Sequence, residues 1–246
     1  MKIALAALGF INRDINYNKN VIIDTLKNLK NEADIVLFGE SFLQGFDSLK
    51  FCYEKDKDIP VTINSDVIIE IIQVARKNQI GVSFGFFEKK DDKIYDSQLT
   101  VDSNGNIINL YRRVSKAWKE PYAEDVYCEG SSFSIFSYMD KRIVVGLCGD
   151  LWYEENVKEI KDLNVDIVFW PVYTDFNYEK WNNEIKYEYL DQASKITSNV
   201  LYVNSYCKDK EEIDEIAKGG AIYFSKGKIV CEKLAGKEDI LVVEID

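Results

Sequence analysis

The order of apolar runs in the first 88 residues restricts the fold of this chain more than any other sequence feature. Short apolar runs at residues 2–10, 34–38 and 81–88 are typical of buried strands. Residues 19–31 carry apolar side chains at helical spacing, and a second helix is predicted from residue 64 or 65 to residue 78. A β-α-β-α-β order requires a parallel sheet whose strands are joined by crossover helices.

The rest of the chain predicts two further helices and a larger number of strands. The segment DSNGN at 102–106 is a hairpin turn signal, and the apolar run DIVFW is predicted to end at Pro171. Strands are expected at residues 94–101, 107–112, 133–138, 142–147, 166–170, 200–206, 221–224, 228–233 and 240–245, and helices at 155–163 and 184–199.

The β-α-β-α order of the front of the chain recurs after residue 148. Two such halves can pack two sheets face to face, with helices outside each sheet. We therefore expect one domain over residues 1–246, an α/β four-layer αββα sandwich with two central mixed sheets flanked by helices.

Composition excludes several classes of function. The net charge of −11 is unsuited to a nucleic-acid partner, because phosphate binding needs a concentrated basic surface. No apolar run approaches the length of a membrane span, and the segment MKIALAALGF is typical of a first strand rather than of a signal peptide. The five cysteines form no CxxC pair, which predicts neither disulfides nor a zinc site and favours a reducing cytoplasm.

The chain contains no histidine. This excludes Ser-His-Asp and Cys-His catalytic sites, together with nearly all catalytic zinc geometries. A nucleophile in this protein must therefore use a carboxylate, a lysine or a tyrosine as its base.

Cys148 follows the apolar run 143–147 directly, and Gly146 and Gly149 bracket it. The two glycines would let the backbone turn sharply and a substrate approach the thiol. Because α/β sheets carry their chemistry at the carboxyl ends of strands, Cys148 is placed as a nucleophile. Taken alone, such a cysteine is more often a small buried apolar side chain.

Charged residues follow two other predicted strands. Glu40 comes shortly after one strand, and Arg113 directly follows another, with Lys116 close behind. Each alone fits a solvated surface charge, but together with Cys148 they would meet at one sheet edge. A cation there lowers the pKa of the thiol and stabilises an oxyanion, while a carboxylate accepts the thiol proton and passes it to the leaving amine.

Four ordered segments resemble those of the nitrilase, or carbon–nitrogen hydrolase, superfamily. They are FGESFLQGF at 38–46, LYRRVSKAW at 110–118, EDVYCEG at 124–130 and GLCGDLWYEE at 146–155, and two later segments, VFWPVY at 168–173 and VLYVNSY at 200–206, resemble further blocks of the family. The resemblance implies Cys148 as the nucleophile and Glu40 as the general base and acid. It also implies Glu124 as a second glutamate that orients the lysine and the substrate.

The chain departs from the family pattern at the lysine. The family usually reads Tyr-Arg-Lys where this chain reads Tyr111, Arg112 and Arg113. Either Lys116 reaches the site from one turn further along, or Arg113 supplies the positive charge; we favour Lys116, with Lys119 third. Arginine could stabilise an oxyanion but could not readily carry a proton, since its pKa stays above about 12.

The resemblance implies hydrolysis of a non-peptide C–N bond through a cysteine thioester, and we favour a small linear amide as the substrate. Nitrile hydrolysis and N-carbamoyl hydrolysis are the alternatives within the family. A backbone N–H near Gly149 would join the cation at the oxyanion. Trp170 would shape the acyl pocket or pack as an ordinary core aromatic, and the same two interpretations apply to Trp118, Trp152 and Tyr173.

We expect no cofactor and no metal. The expected binding partner is a small-molecule amide or nitrile, with no nucleic acid and no membrane. The resemblance implies a homodimer or a higher homo-oligomer, and the cysteine usage favours the cytoplasm.

Two hypotheses from other classes remain open. Arg113 at the lysine position suggests a catalytically inactive member of the family, kept as a binding or scaffold protein. A plain α/β ligand-binding domain has less support, because no GxGxxG or GxxxxGKS/T loop follows any predicted strand.

Overall fold

The computed structural model describes residues 1–196, 199–209 and 214–246. Its strands β1 to β14 are Lys2–Ala7, Gly9–Phe10, Ile35–Phe38, Gly81–Lys90, Lys93–Val101, Ile107–Arg112, Ile135–Tyr138, Lys141–Val145, Ile167–Val172, Asn199–Asn204, Tyr206–Cys207, Ala221–Ser225, Lys228–Lys233 and Asp239–Glu244. The α-helices α1 to α6 are Ile15–Asn28, Tyr53–Asp56, Asp66–Asn78, Glu154–Asp162, Tyr178–Lys180 and Lys186–Ser194. Two 3₁₀ segments and one π-helical segment are Phe46–Ser48, Cys148–Trp152 and Trp181–Ile185.

Two six-stranded mixed sheets form the centre of the fold. The first has the strand order β14-β1-β3-β4-β5-β6, and the second has the order β13-β12-β10-β9-β8-β7. Three adjacent strands run parallel in each sheet, β1-β3-β4 in the first and β8-β9-β10 in the second, and the outer strands pair antiparallel. β2 and β11 form a separate parallel pair. The predicted pair of mixed sheets is therefore confirmed.

Both faces of the first sheet are buried, and successive side chains of a strand enter different cores. Ile3 and Leu5 of β1 belong to the core shared with the second sheet, whereas Ala4 and Ala6 belong to the core formed with α1 and α3. The second sheet carries α4 and α6 on its other side, through residues such as Ile160. Because successive side chains of a strand point to opposite faces, a strand covered on both sides must be apolar throughout. The predicted αββα sandwich is confirmed.

Most predicted elements lie close to the observed ones, and the differences have local causes. The turn at 102–106 is confirmed, with the Asp102 carboxylate accepting two backbone N–H groups within it. α1 begins earlier than predicted because Asp14 caps it, accepting a hydrogen bond from the Tyr17 N–H at 2.9 Å.

Two elements of the second half differ more from prediction. Pro171 lies inside β9 rather than ending it. The pairing of β8 with β9 ends at Phe169, so the proline, which has no N–H, removes no hydrogen bond between these two strands. The long helical stretch begins at Tyr178, before the predicted residue 184, and it contains the π-helical segment. Its predicted end includes residues 197 and 198, which lie outside the described residues.

The packing of the two sheets brings distant segments of the chain together. β3 of the first sheet contacts β9 and β10 of the second. Residues that follow β3, β6 and β8 therefore meet at one end of the sandwich. Within the described part of the chain, no helix has both the length and the apolar character needed to cross a bilayer.

Candidate active site

Glu40 lies just beyond the end of β3 and is fully buried. Its Oε1 accepts a hydrogen bond from Arg113 Nη1 at 2.7 Å, and its Oε2 accepts one from the Tyr173 backbone N–H at 3.0 Å. The backbone N–H of Glu40 in turn donates to the carbonyl of Val172, the last residue of β9. The carboxylate is thus held between the two sheets, since β3 and β9 belong to different ones.

Arg113 directly follows β6, and only 2% of its surface is exposed. Besides its bond to Glu40, the guanidinium donates from Nε to the Ser115 hydroxyl at 2.9 Å. Gly149 leaves room for this group, because a β-carbon at that position would lie 2.4 Å from Arg113 Nη2. The absence of a side chain at residue 149 therefore lets the cation approach the segment 147–150, here called the cysteine loop.

Cys148 is the first residue of the 3₁₀ segment after β8, and it is half-buried. Its φ of 43° lies in the left-handed region, which a non-glycine residue occupies only under strain. The sharp turn predicted here therefore occurs at the cysteine itself. The thiol donates to the Tyr173 carbonyl, with 3.5 Å between sulfur and oxygen, and Glu40 accepts a hydrogen bond from the N–H of the same residue.

Asp150 connects the cysteine loop to the strand that leads to Arg113, and it is fully buried. Its carboxylate accepts three hydrogen bonds, from the Leu147 N–H at 2.9 Å, the Ser115 N–H at 2.8 Å and the Tyr111 hydroxyl at 2.6 Å. One buried carboxylate thus holds β6 against the cysteine loop. Sequence reasoning missed Asp150; its one local signal is an acidic residue inside the otherwise apolar GLCGDLW.

The cation beside the buried carboxylate is Arg113, whereas the sequence favoured Lys116. The Lys116 side chain is exposed, and Lys119 pairs with Glu129 at 2.8 Å. Strand alternation explains this correction, because Tyr111 is buried between the sheets and Arg113, two residues later, points the same way. Lys116 lies beyond the strand, where that alternation no longer applies.

Glu124, which the resemblance implied would orient the lysine and the substrate, lies away from this cluster. Its side chain is exposed and accepts a hydrogen bond from the Tyr53 backbone N–H at 3.0 Å. The preceding segment packs through Trp118 against Phe51 and Tyr127, which carries Glu124 to the surface beside α2. Its position does not support the expected role.

Burial determines the protonation state of the thiol. Desolvation raises the pKa of Cys148 well above its ordinary value, Glu40 raises it further, and Arg113 opposes both. The cation therefore lowers the pKa of the thiol as expected, but burial and Glu40 make the net shift upward. Burial also disfavours the charge of Arg113, but the surrounding acidic groups, Glu40 above all, more than offset this, so the pKa of the guanidinium is raised. The site thus holds a neutral thiol beside a fixed cation.

A third carboxyl group, that of Asp96 on β5, is also buried in the site. Its Oδ1 accepts a hydrogen bond from the Ser41 hydroxyl at 2.8 Å, and its Oδ2 lies 4.0 Å from Arg113 Nη1. Burial raises the pKa of Asp96 well above its ordinary value, and the charge of Glu40 raises it further. Sequence reasoning missed Asp96, because a single aspartate within a strand carries no local signal of the partners it meets.

Aromatic side chains support the cysteine loop. Trp170 is fully buried, and its Nε1–H donates to the Cys148 carbonyl at 2.9 Å. Tyr189 stacks on Trp170 with ring centroids 5.1 Å apart, and Trp152 lies on the outer side of this pair. Trp118 belongs to a different apolar cluster. Of the tryptophans singled out from sequence, Trp170 is the one that bonds to the backbone of Cys148.

Tyr173 connects the site to a cleft. Its ring stacks on Phe46 with centroids 4.6 Å apart, and its hydroxyl donates to Asp47 at 2.8 Å. Phe46 and Asp47 also line an open cleft of about 340 Å³, together with Trp118. Tyr173 thus contacts Cys148 through its backbone and two residues of the cleft through its ring and hydroxyl. The volume of the cleft suits a small molecule.

The arrangement can support acyl-transfer chemistry without imidazole. It places a thiol nucleophile, a carboxylate able to accept its proton, and a cation able to stabilise an oxyanion in one buried cluster. Within the described ranges, no group of three or more histidine, cysteine, aspartate or glutamate side chains is arranged to hold a metal ion.

Comparison with known proteins gives a family and several relatives. A family model described as carbon-nitrogen hydrolase matches residues 2–246 of this chain. The chain is similar to a citrullinase from Francisella tularensis, 25% identical over 177 residues that cover 70% of this chain and 60% of that protein. It is also similar to an N-carbamoylputrescine amidase from Oryza sativa, 28% identical over 69% of this chain and 58% of that protein. These matches span about three-fifths of the length of either relative.

Solved structures share the fold. An amidase from Nesterenkonia sp. AN1 superimposes with a TM-score of 0.81 at 16% identity, over 100% of this chain and 93% of that one. A glutamine-dependent NAD+ synthetase from Acinetobacter baumannii superimposes with a TM-score of 0.82 at 22% identity, over 100% of this chain and 45% of that one. At these identities the likeness shows the shared fold alone.

Proposed function

Because this chain belongs to the carbon–nitrogen hydrolase family, we propose that it hydrolyses a small linear amide through a thioester on Cys148. Glu40 acts as the general base and acid, and Arg113 takes the place that the family usually gives to a lysine. The observation that carries the proposal is the position of the Glu40 carboxylate, which accepts hydrogen bonds from Arg113 Nη1 and from the N–H of Tyr173, the residue whose carbonyl accepts the hydrogen bond of the thiol.

Acylation starts from a neutral thiol, since the pKa of Cys148 is raised. The sulfur attacks the amide carbonyl carbon while its proton passes to Glu40, and the carbonyl oxygen becomes an oxyanion. Arg113 and a backbone N–H near Gly149 stabilise this oxyanion. Glu40 then gives the proton to the leaving nitrogen, the C–N bond breaks, and ammonia or an amine departs from the thioester.

Water completes the reaction. Glu40 takes a proton from water as the water oxygen attacks the thioester carbonyl carbon. When the tetrahedral intermediate collapses, the C–S bond breaks and the proton returns from Glu40 to the sulfur of Cys148. The acid product leaves, and the starting protonation of the site is restored.

An N-carbamoyl hydrolase is the second candidate function. It is supported by the two relatives whose names are citrullinase and N-carbamoylputrescine amidase, 25% and 28% identical to this chain. The same residues would act, with the carbamoyl carbon as the point of attack by Cys148.

Mass spectrometry of the intact protein, incubated with a panel of linear amides, N-carbamoyl compounds and nitriles, tests the proposal. We expect turnover and an acyl adduct on Cys148 in the wild type, and loss of both in C148A. Acrylamide is a further probe, because it is attached to the active-site cysteine in a structure of the Nesterenkonia amidase. C231A is the matched control, since Cys231 is a half-buried thiol outside the site.

Two outcomes would contradict this assignment. Full turnover by C148A would show that another group is the nucleophile. Absence of both adduct and turnover with every compound of the panel would favour the alternative of an inactive binding or scaffold protein, which Arg113 at the lysine position suggests.

We also propose that the chain works as a single domain over residues 1–246, in the cytoplasm and as a homodimer, as its composition and the family resemblance suggest. Light scattering at several protein concentrations tests the dimer, because a monomer mass throughout would contradict it.

A further inference from the structure

Asp96 and Glu40 compete for one cation. Arg113 Nη1 lies 2.7 Å from Glu40 Oε1 and 4.0 Å from Asp96 Oδ2. Asp96 Oδ1 accepts a hydrogen bond from the Ser41 hydroxyl, but Oδ2 is buried and has no donor among the residues that the structure describes. An ionised carboxylate oxygen in that position would be desolvated, without a donor and repelled by its neighbour.

The charged groups around Asp96 favour one bound proton. Facing it are Glu40 from the end of β3 and Arg113 from the end of β6, and Cys148 and Asp150 of the cysteine loop act on the same guanidinium. Three carboxyl groups therefore surround a single cation. Asp150 has three hydrogen-bond donors and Asp96 has one, so a proton is accommodated most readily on Asp96.

We propose that Asp96 is a protonated positioning residue, a neutral carboxyl group whose Oδ2 donates a hydrogen bond to Glu40 and leaves Glu40 as the ionised partner of Arg113. A proton on Oδ2 converts two acceptors that face each other into a donor and an acceptor. Glu40 then has a third donor, besides Arg113 and the Tyr173 N–H. The inference rests on the proposed function, in which Glu40 must be ionised to accept the thiol proton.

A neutral Asp96 suits a site whose cation is arginine. The guanidinium of Arg113 does not release a proton at physiological pH, so the carboxyl groups and the thiol must hold every mobile proton of the site. Asp96 keeps its proton through both half-reactions, while Glu40 exchanges protons with the thiol, the leaving nitrogen and water. Loss of the Asp96 proton at alkaline pH would put a second negative charge beside Glu40 and would lower activity.

Infrared spectroscopy of the whole protein tests this protonation state without an activity assay. At neutral pH the wild type should show the C=O stretching band of a buried protonated carboxyl group, and the band should shift when aspartate is isotopically labelled. D96N should lose the band. D56N should keep it, because Asp56 is a buried carboxylate with its own donors, the Lys50 N–H and the Tyr127 hydroxyl. A band unchanged in D96N would overturn the proposal.

A second variant covers the case in which D96N does not fold. S41A removes the hydroxyl that donates to Asp96 Oδ1 and should therefore move the band to higher frequency. A band that does not move in S41A would show that it arises from another carboxyl group, and the proposal would fail.

The pH dependence of kcat/KM provides a readout that a purely structural role would not change. Asparagine keeps a donor toward Glu40 and an acceptor toward Ser41, so kcat/KM of D96N should stay within about tenfold of the wild-type value at neutral pH. D96N should also lack the decrease in kcat/KM at alkaline pH that ionisation of Asp96 causes in the wild type. D96A has no donor and should lose about tenfold to a hundredfold in kcat. Equal losses in D96N and D96A would contradict the positioning role.

The two proposals can fail separately. A wild type that turns over no substrate but shows an infrared band lost in D96N would refute the proposed function and support the protonated Asp96. A wild type that hydrolyses amides through Cys148 but shows no such band would support the function and refute this inference.

Discussion

Arg112 and Arg113 are neighbours in the sequence, and each pairs with a glutamate, but the two pairs have different surroundings. Arg112 bonds to Glu88 through two nitrogens, at 2.7 and 2.6 Å, and Glu88 also accepts a hydrogen bond from the Ser97 hydroxyl. The Arg112 side chain is 23% exposed and lies over the Tyr95 ring at 4.3 Å. In this pair one cation meets one carboxylate, and both carboxylate oxygens have donors.

The pair of Arg113 lacks this balance. Its guanidinium is buried and bonds to Glu40 through one nitrogen, while Asp96 and the thiol of Cys148 lie around the same group. Consecutive side chains of a strand point to opposite faces, so one arginine reaches the outer surface of the sheet and the other reaches the space between the sheets. A fully matched pair stabilises the fold, whereas a cluster with excess carboxyl groups keeps protons available for chemistry.

Separate replacement of Glu40 and Glu88 by glutamine should give the largest difference in activity between the two pairs. E40Q removes the proton acceptor of the thiol and should lower kcat/KM by about 10²- to 10⁴-fold. E88Q should leave kcat/KM within about threefold of wild type, and it should lower the free energy of unfolding by roughly 1–3 kcal/mol, because Arg112 and Ser97 lose a charged acceptor. Steady-state kinetics and urea denaturation measure the two effects.

The stability of E40Q sharpens this comparison. Asp96 can take up the negative charge beside Arg113 when Glu40 is neutral, so E40Q should destabilise the protein less than E88Q does. A similar loss of activity in both variants would show that the two pairs are not functionally distinct.

Crowding the Arg113 guanidinium should give an intermediate effect. A β-carbon in G149A would lie 2.4 Å from Nη2 and must displace the cation, so kcat/KM should fall by about tenfold to a hundredfold while the protein stays folded. G227A is the control, because a β-carbon there meets only Ser194 Cβ, at 4.0 Å, although its φ of +71° makes a small loss of stability expected. Unchanged kinetics in G149A would mean that the position of the guanidinium does not matter.

The smallest expected effect is on the pH dependence of stability. Because the pKa of Asp96 is raised in the folded protein above the ordinary value of 3.8, the folded state binds this proton more tightly than the unfolded chain does. The stability that Asp96 contributes is therefore present at low pH and is lost as the pH rises above that value. D96N cannot ionise, so its Tm should rise relative to wild type as the pH increases above about 4, by about 2–4 °C for each kcal/mol of difference in stability.

D56N is the matched control and should lower Tm at neutral pH, because the Lys50 N–H and the Tyr127 hydroxyl lose a charged acceptor. Differential scanning calorimetry at several pH values measures both variants. A Tm difference between D96N and wild type that is the same at every pH would mean that Asp96 has the same proton affinity in the folded and unfolded states.

The fold could be predicted from local patterns for a physical reason. The apolar spacing typical of a strand or of a helix can be seen within a short segment. In this chain, the segments with strand patterns form the two sheets and those with helical patterns form the outer layers. Glu40 and Cys148 could be singled out by the same means, because each follows a buried apolar strand and strand ends carry chemistry. The alternation of side chains along β6 also indicated Arg113, because Arg113 lies two residues after the buried Tyr111 and therefore points to the same face.

By itself the sequence determined the order of strands and helices, the two-sheet sandwich, and the carboxylate and the thiol that end two of its strands. Only the tertiary structure decided that Arg113 rather than Lys116 lies beside Glu40, that Asp96 and Asp150 join the cluster, and that burial raises the pKa of Cys148. These features depend on distances between segments far apart in the chain and on the exclusion of water around them, and neither is encoded in any one stretch of residues.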